Sequence, residues 1–312
     1  MSRKVLLEET KRRIQIVFDR DVESTPADWE KEHQSLTKCL HSLRHLIGLT
    51  EIKSFVEEIY AWLEIGKRRK NAGLTQEQQV LHMVFTGNPG TGKTTVARII
   101  GELFQEMGVL TRGHVIEVER ADLVGEYIGH TAQKTREHVK QALGGILFID
   151  EAYALSRGGE KDFGKEAIDT LVKSMEDYKN EFVLILAGYS QEMEAFIRSN
   201  PGLPSRFPIH LKFPDFSITE LLEIADLMVK QREYVFSATA KEKIRQLLQR
   251  EAERKNHTFG NARFIRNLVE QAIRLHAVRL LKKKEADRHS LMTILPEDIL
   301  FESIGRKNYS SW

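Results

Sequence analysis

A glycine-rich segment at residues 87–94 constrains the fold of this chain more than any other feature. It reads Gly-Asn-Pro-Gly-Thr-Gly-Lys-Thr and matches the phosphate-binding pattern G-x-x-x-x-G-K-S/T. The apolar run Leu81–Thr86 precedes it. The helical pattern that follows has apolar residues at Val96, Ile99, Ile100 and Leu103. A strand, such a loop and a helix in this order are the context that the pattern requires, so the sequence predicts a P-loop.

The residue types in this loop suit ATP with Mg²⁺. Glycines let successive backbone N–H groups converge on phosphate oxygens, and the start of the next helix adds positive potential. Lys93 would neutralise charge on the β- and γ-phosphates, and the Thr94 hydroxyl would bind Mg²⁺. The other predicted nucleotide-binding residues of the loop are Asn88, Pro89, Gly90, Thr91, Gly92 and Thr95.

An apolar run that ends in two acidic residues supplies the second half of the predicted site. Residues 146–151 read Ile-Leu-Phe-Ile-Asp-Glu, and a buried sheet avoids such acids unless they act at its carboxyl edge. Asp150 would hold Mg²⁺, and Glu151 would orient the water that attacks the γ-phosphate. The alternative is that the two acids only cap the next helix. The P-loop upstream favours the catalytic interpretation.

Short apolar runs alternate with helical patterns over residues 80–214. The runs are Leu81–Thr86, His114–Val118, Ile146–Asp150, Phe182–Ala187 and Ile209–Phe213. This alternation predicts an α/β core with a five-stranded parallel sheet that is covered on both faces. From Phe216 onward strand patterns disappear and three helical patterns follow, which predicts an all-helical second unit.

The predicted organisation therefore has three parts. Apolar residues at helical spacing in residues 28–47 and 51–66 indicate a helical start. We expect a helical N-terminal extension at residues 1–44, the α/β nucleotide-binding core at 45–214 and a helical lid at 215–312. Pro214-Asp215 is the predicted hinge.

Composition limits the partners and the compartment. Forty-seven Lys and Arg residues against 45 Asp and Glu residues leave a formal charge of +2, so no overall basic field favours nucleic acid. Cys39 is the only cysteine, which suits a reducing compartment. The N-terminus does not resemble a secretory signal, and the longest apolar run is far shorter than the roughly 20 residues that span a bilayer. The sequence predicts a cytoplasmic protein without membrane insertion.

Two arginines are candidates for contact with the nucleotide. Arg206 lies between a proline-bearing turn and the last predicted strand, where it could reach the γ-phosphate of a neighbouring subunit as an arginine finger. Arg263 falls in the first turn of a helix, where a cation opposes the helix dipole and so needs a partner such as phosphate. The alternatives are a surface arginine at position 206 and a salt bridge at position 263.

These motifs, in this order, resemble the AAA+ ATPases over about residues 45–305. Within that class, the segments 123–131, 148–155 and 186–189 resemble the CbbX family, which includes red-type Rubisco activases. The N-terminal 40 or so residues do not resemble those of the activases, which favours a member of the family that acts in sporulation.

The resemblance implies further residue roles. Ile47, Gly48 and Leu49 would form the adenine pocket, although the residues alone favour a cap of the first helix over a ligand contact. Tyr127, Ile128 and Gly129 would form a pore loop that grips an extended polypeptide, unless Tyr127 is a buried packing residue. Residues 157–162 are either a second pore loop or a surface loop.

The segment after the fourth predicted strand departs from many AAA+ proteins. Those proteins carry Asn or Thr as sensor 1, whereas this chain has Ala187-Gly188-Tyr189-Ser190. Tyr189 or Ser190 would position the attacking water by a hydroxyl hydrogen bond.

The leading functional prediction is an ATPase that forms a ring, by resemblance a hexamer, and remodels or threads a protein client whose identity is open. The alternative is a nucleotide-switched binding protein, or a loader-type ATPase, that acts on a protein or DNA without threading. A GTPase is disfavoured because the chain has no Asn-Lys-x-Asp segment. A small-molecule kinase is disfavoured because it needs no Asp-Glu pair to activate water.

Overall fold

The computed structural model describes residues 34–44, 46–75, 80–127, 129–157, 162–253, 260–282 and 287–300. Its first two helices are α1 (Gln34–Arg44) and α2 (Thr50–Asn71). They match the helical patterns predicted around these positions, while residues 1–33 of the predicted N-terminal extension lie outside the described residues. Cys39 and Leu43 of α1 are buried in the same apolar cluster as Ile52 of α2, so the described end of that extension packs on the core. Burial raises the pKa of the Cys39 thiol to about 12.

A five-stranded parallel sheet forms the centre of the core, as predicted. Its strands are β1 (Met83–Gly87), β2 (Val115–Val118), β3 (Ile146–Ile149), β4 (Val183–Gly188) and β5 (Ile209–Phe213). Their spatial order is β2-β3-β4-β1-β5. β2, β3 and β5 lie within the apolar runs that predicted them, and β1 and β4 each extend one residue beyond the end of their run.

The crossover segments between the strands cover the two faces of the sheet. They are α3 (Lys93–Glu106), α4 (Arg120–Leu123), α5 (His130–Ala142), a 3₁₀ helix (Ala152–Ser156), α6 (Gly164–Asp177) and α7 (Ser190–Ser199). Successive strand residues point to opposite faces, so Phe85 packs in the cluster with α1, α2 and α3, whereas Val84 packs in the cluster with α5, α6 and α7. Burial on both faces explains why the strands read as continuous apolar runs.

The lid follows the connector Pro214–Ser217. Its helices are α8 (Ile218–Lys230), α9 (Ala238–Glu253), α10 (Asn261–Leu281) and α11 (Arg288–Met292), with a 3₁₀ turn at Pro296–Asp298. The Ser217 hydroxyl accepts the Glu220 N–H at 3.2 Å, and the Glu220 carboxylate accepts the Ser217 N–H at 2.7 Å. This capping box starts α8 directly after the connector.

The lid is helical, as predicted, but the expectation of no strand after Phe216 is wrong for four residues. β6 (Val235–Phe236) pairs in parallel with β7 (Thr293–Ile294). A two-residue strand is too short to produce a periodic pattern, and its pairing depends on residues nearly 60 positions apart. Within the described ranges, no helix is both long and apolar enough to cross a membrane.

Candidate nucleotide-binding site

The P-loop connects β1 to α3 and is shaped by backbone conformations that suit glycine. Gly90 has φ +74°, and a Cβ there would lie 2.4 Å from the Gly260 carbonyl oxygen of the lid, so no larger residue fits. The Lys93 ammonium donates to the carbonyl oxygens of Gly87 at 2.8 Å and Asn88 at 2.9 Å. Burial lowers the pKa of Lys93, which Asp150 partly opposes. The lysine is therefore held inside its own loop.

A cavity of about 300 Å³ opens at the carboxyl ends of the strands, directly beside this loop. The residues in its lining that were predicted as site residues from the sequence are Pro89, Gly90, Gly92, Lys93, Thr94, Thr95, Asp150, Glu151, Tyr189 and Arg263. Asn88 and Thr91 belong to the loop but are not in the described lining: the Thr91 hydroxyl donates to the Asn88 carbonyl at 2.8 Å, and Thr91 is fully buried. The glycine turns, the helix start and the lysine form an anion-binding cradle, and Thr94 with Asp150 offers the oxygen ligands that Mg²⁺ prefers.

Asp150 and Glu151 follow β3 immediately and face this cavity. The Asp150 N–H donates to the Val118 carbonyl at 3.0 Å, which extends the β2–β3 ladder by one residue. Glu151 has φ +48°, an unfavourable conformation for this residue type that is tolerated at functional sites. Although Glu151 precedes the 3₁₀ helix, its side chain accepts no capping hydrogen bond. The alternative role of Glu151 as a helix cap is therefore not supported by its side-chain contacts.

Tyr189 lines the cavity beside Gly188, whereas its neighbour Ser190 begins α7, is exposed and is not part of the described lining. Burial raises the pKa of the Tyr189 hydroxyl, and the nearby Glu151 carboxylate adds to this shift. The hydroxyl therefore remains protonated at neutral pH. Of the two open candidates for sensor 1, the geometry favours Tyr189.

The lid closes the cavity with two arginines from α10. Arg263 is the third residue of this helix and Arg266 follows one turn later, and both contribute to the lining. Sequence reasoning missed Arg266, although its position three residues after Arg263 places it on the same helix face. The Ala262 N–H donates to the Gly90 carbonyl at 3.2 Å, so the start of α10 contacts the P-loop directly.

The predicted adenine segment lies beside the P-loop and the lid but outside the lining of this cavity. Leu49 has φ +57° and precedes α2, and its Cδ1 is 3.6 Å from where a Cβ of Gly92 would be. Gly48 has φ +67°, and a Cβ there would meet Glu220 Oε1 at 2.3 Å. Ile47 packs against the lid cluster. The segment thus joins the P-loop to the lid at the start of α2 and does not end α1.

Arg206 is not in this cavity. Its guanidinium forms an ion pair with Glu176 near the end of α6 and donates to the Gly202 carbonyl at 2.8 Å. It lines a second cavity of about 380 Å³ at the amino ends of the strands, together with His82, Phe182 and Ser205. Arg206 therefore cannot be described as part of the nucleotide site of its own chain.

The predicted pore loop lies before α5. Tyr127 is 66% exposed, which excludes the alternative that it is a buried packing residue. Its ring meets the His130 ring edge to face at 5.5 Å, and Gly129 has φ +83°. Ile128 lies outside the described residues.

Most of the predicted second loop, residues 158–161, also lies outside the described residues. Its two ends are fixed: the Arg157 guanidinium lies 4.5 Å from the Tyr153 ring centre, and the Asp162 carboxylate accepts two hydrogen bonds from Arg120 at 2.7 and 2.8 Å.

Two protein-family models match the chain. The model described as "ATPase family associated with various cellular activities (AAA)" matches residues 83–215, and the model described as "AAA lid domain" matches residues 217–308. These ranges correspond to the sheet with its P-loop and to the helical lid. Fold, site and family models together define an ATPase of the AAA+ class.

Curated relatives identify the branch of that class. Stage V sporulation protein K of Bacillus subtilis is 56% identical over 86% of this chain and 84% of its own length. The chromosomal protein CbxX of Cupriavidus necator is 44% identical over 87% and 86%, and the chloroplastic ribulose bisphosphate carboxylase/oxygenase activase of Cyanidioschyzon merolae is 44% identical over 82% and 88%. The chain belongs to the CbbX family of AAA+ ATPases, as its motifs predicted, and is an ATP hydrolase.

Solved structures agree on the fold. A mutant of Thermotoga maritima RuvB superimposes with a TM-score of 0.54 over 82% of this chain and 69% of that chain, at 20% sequence identity. At this identity the likeness concerns the fold of the P-loop core with its lid.

Proposed function

We propose that this ATPase assembles into a hexameric ring and uses hydrolysis of ATP to remodel a protein client at a central pore. The observation that carries the proposal is the position of Arg206 at the opposite end of the sheet from Lys93, Asp150, Glu151 and Arg263. Because Arg206 lies away from the nucleotide site of its own chain, it can complete only the nucleotide site of a neighbouring subunit.

Within one subunit, the described residues divide the work of hydrolysis. Thr94 and Asp150 would hold Mg²⁺, which draws charge from the phosphate oxygens as the bond to the leaving group breaks. Glu151 orients the attacking water, and the protonated Tyr189 hydroxyl donates a hydrogen bond that fixes the position of this water. Lys93 exchanges its two carbonyl acceptors for phosphate oxygens, and Arg263 contacts the terminal phosphate from the lid.

Client contact is assigned to Tyr127, with Ile128 and Gly129 completing the loop. An exposed tyrosine beside a flexible glycine can grip an extended chain through ring contacts that do not depend on sequence. We place the adenine base near Ile47, Gly48 and Leu49, between the P-loop and the lid. The likeness to a stage V sporulation protein supports a role in sporulation.

Complementation between two inactive variants tests the shared site. Arg206→Ala leaves Glu151 intact, and Glu151→Gln leaves Arg206 intact, so each variant alone should hydrolyse ATP poorly. In an equal mixture about one quarter of the sites combine an intact Glu151 with an intact neighbouring Arg206, and turnover should rise to about that fraction of wild type. No recovery on mixing would show that Arg206 does not act between subunits.

The mass of Glu151→Gln in solution gives an independent test, because this variant should bind ATP without hydrolysing it. With ATP and Mg²⁺ we expect a closed assembly of six subunits. A protein that stays monomeric under these conditions would favour the alternative function, a nucleotide-switched binding protein.

A further inference from the structure

Three polar side chains connect the P-loop, the connector and the first residue of the lid helix α10. The Asn88 amide donates to both carboxylate oxygens of Asp215 at 2.9 Å. The Asn261 amide donates to Asp215 Oδ1 at 2.8 Å, and its carbonyl oxygen accepts the Phe216 N–H at 3.0 Å. We refer to Asn88, Asp215 and Asn261 as the polar latch.

Asn261 occupies an unusual position in this latch. It is fully buried, and it begins α10 with φ +44°. Asparagine and aspartate tolerate this left-handed conformation better than other residues with a side chain. A buried amide is also costly unless it is hydrogen-bonded, so the contacts with Asp215 and the Phe216 N–H stabilise Asn261 at the start of α10.

The position of Arg263 depends on that start. Arg263 lies two residues after Asn261 on the same helix and lines the nucleotide cavity. The Ala262 N–H, between them, donates to the Gly90 carbonyl. Since a helix is stiff over one turn, a shift of Asn261 displaces Arg263 relative to the phosphates.

We propose that Asp215 and Asn261 are positioning residues that transmit the state of the P-loop to Arg263 and so make binding selective for ATP over ADP. Asn88 belongs to the loop that surrounds the phosphates, and Asp215 bonds to Asn88 and Asn261 at once. A P-loop ordered by phosphate thereby orders the lid helix, and Arg263 is in place before the terminal phosphate binds. The inference rests on the proposed contact of Arg263 with that phosphate.

An exchange of the two side chains tests the latch with little change in volume. Asn261→Asp alone places two carboxylates against each other. Asp215→Asn alone leaves one side-chain oxygen at position 215 to accept from both the Asn88 and the Asn261 amides. In the double variant Asp215→Asn with Asn261→Asp, the bond between the two positions re-forms with donor and acceptor exchanged, while Asn88 and the Phe216 N–H keep acceptors. The exchange removes the 3.4 Å bond from the Asn261 amide to the Pro89 carbonyl and one of the two bonds that Asn88 donates to position 215.

The affinities for ATP and ADP are measured with Glu151→Gln as the background, so that ATP remains intact. Each single exchange should lower the affinity for ATP by about tenfold and change the affinity for ADP by less than about twofold. The double exchange should restore most of the ATP affinity. Equal losses for ATP and ADP, or a double variant no better than the singles, would show that the latch only stabilises the fold.

Arg263→Ala in the same background separates this inference from the proposed function. If Arg263→Ala leaves the ratio of ATP to ADP affinity unchanged, the proposed phosphate contact of Arg263 is wrong. If Arg263→Ala removes the preference for ATP but the single exchanges keep it, the contact stands and the latch is refuted.

Discussion

The two ends of the parallel sheet carry cavities of similar size and opposite character. The cavity at the carboxyl ends, about 300 Å³, is lined by P-loop glycines and charged side chains, with Lys93 held by backbone carbonyls. The cavity at the amino ends, about 380 Å³, is lined largely by apolar residues such as Leu110 and Phe182, with Arg206 held by the Glu176 carboxylate. Among the described residues, the two linings have no member in common.

The difference follows from the direction of the chain. Helices begin near the carboxyl ends of parallel strands, where their free N–H groups favour anions, and they end near the amino ends, where carbonyl groups favour cations. A triphosphate site and an arginine therefore lie where each is stabilised. A subunit with an anion site at one end and a cation at the other suits head-to-tail assembly.

The largest expected effect tests whether the two ends act together. Arg206→Ala should lower ATP turnover by about a thousandfold, because an arginine finger stabilises charge in the transition state, while nucleotide affinity changes little. Arg198→Ala is the matched control, since Arg198 is an exposed arginine paired with Glu194. If Arg206→Ala keeps turnover within about twofold of wild type, Arg206 takes no part in ATP hydrolysis and the two cavities act independently.

The next effect concerns stability at the amino end. Burial lowers the pKa of His82 to about 4, and its Nδ1 accepts the Leu184 N–H at 2.9 Å. The unfolded chain binds this proton near pH 6.5 and the folded chain only near pH 4, so the stabilisation is complete above about pH 6.5 and is lost as the pH falls. The loss between those values is about 3 kcal/mol.

Denaturant unfolding of wild type and His82→Gln from pH 7 to pH 4 measures this contribution as a difference. The free energy of unfolding of the wild type should fall more steeply than that of the variant, and His289→Gln, at an exposed site, should follow the wild type. Parallel curves for wild type and His82→Gln would mean that His82 titrates normally in the folded protein.

A smaller effect separates two neighbouring hydroxyls at the carboxyl end. Tyr189→Phe should lower turnover by about tenfold, since one hydrogen bond to the attacking water is lost, with nucleotide affinity unchanged. Ser190→Ala should leave turnover as it is. The reverse result would assign the water-positioning hydroxyl to Ser190.

The smallest effect tests how firmly Glu176 holds Arg206. This pair is partly exposed, and such pairs contribute up to about 1 kcal/mol. Glu176→Gln should therefore raise turnover at low protein concentration by at most about fivefold, because Arg206 is freed to reach a neighbouring site. A decrease would show that Glu176 orients Arg206 for its task.

From the sequence alone we could predict the five strands of the parallel sheet, the P-loop and the Asp150-Glu151 pair, but not β6 and β7. Each of the predicted features is specified locally: a buried strand needs a run of apolar side chains, and a phosphate cradle needs glycines and a lysine at fixed spacing. The residues that perform these tasks are adjacent in the chain, so no long-range contact is required to recognise them.

Three features could be seen only in three dimensions: the strand order, the separation of Arg206 from its own nucleotide cavity, and the position of Tyr189 rather than Ser190 in the lining of that cavity. The tertiary structure also revealed Arg266 and the polar latch. These features arise where segments distant in sequence meet: Asp215 and Asn261 are 46 residues apart, and Arg206 and Glu176 are 30 apart. Such pairings depend on how the sheet and the lid pack in three dimensions, which leaves no periodic or contiguous pattern in the chain.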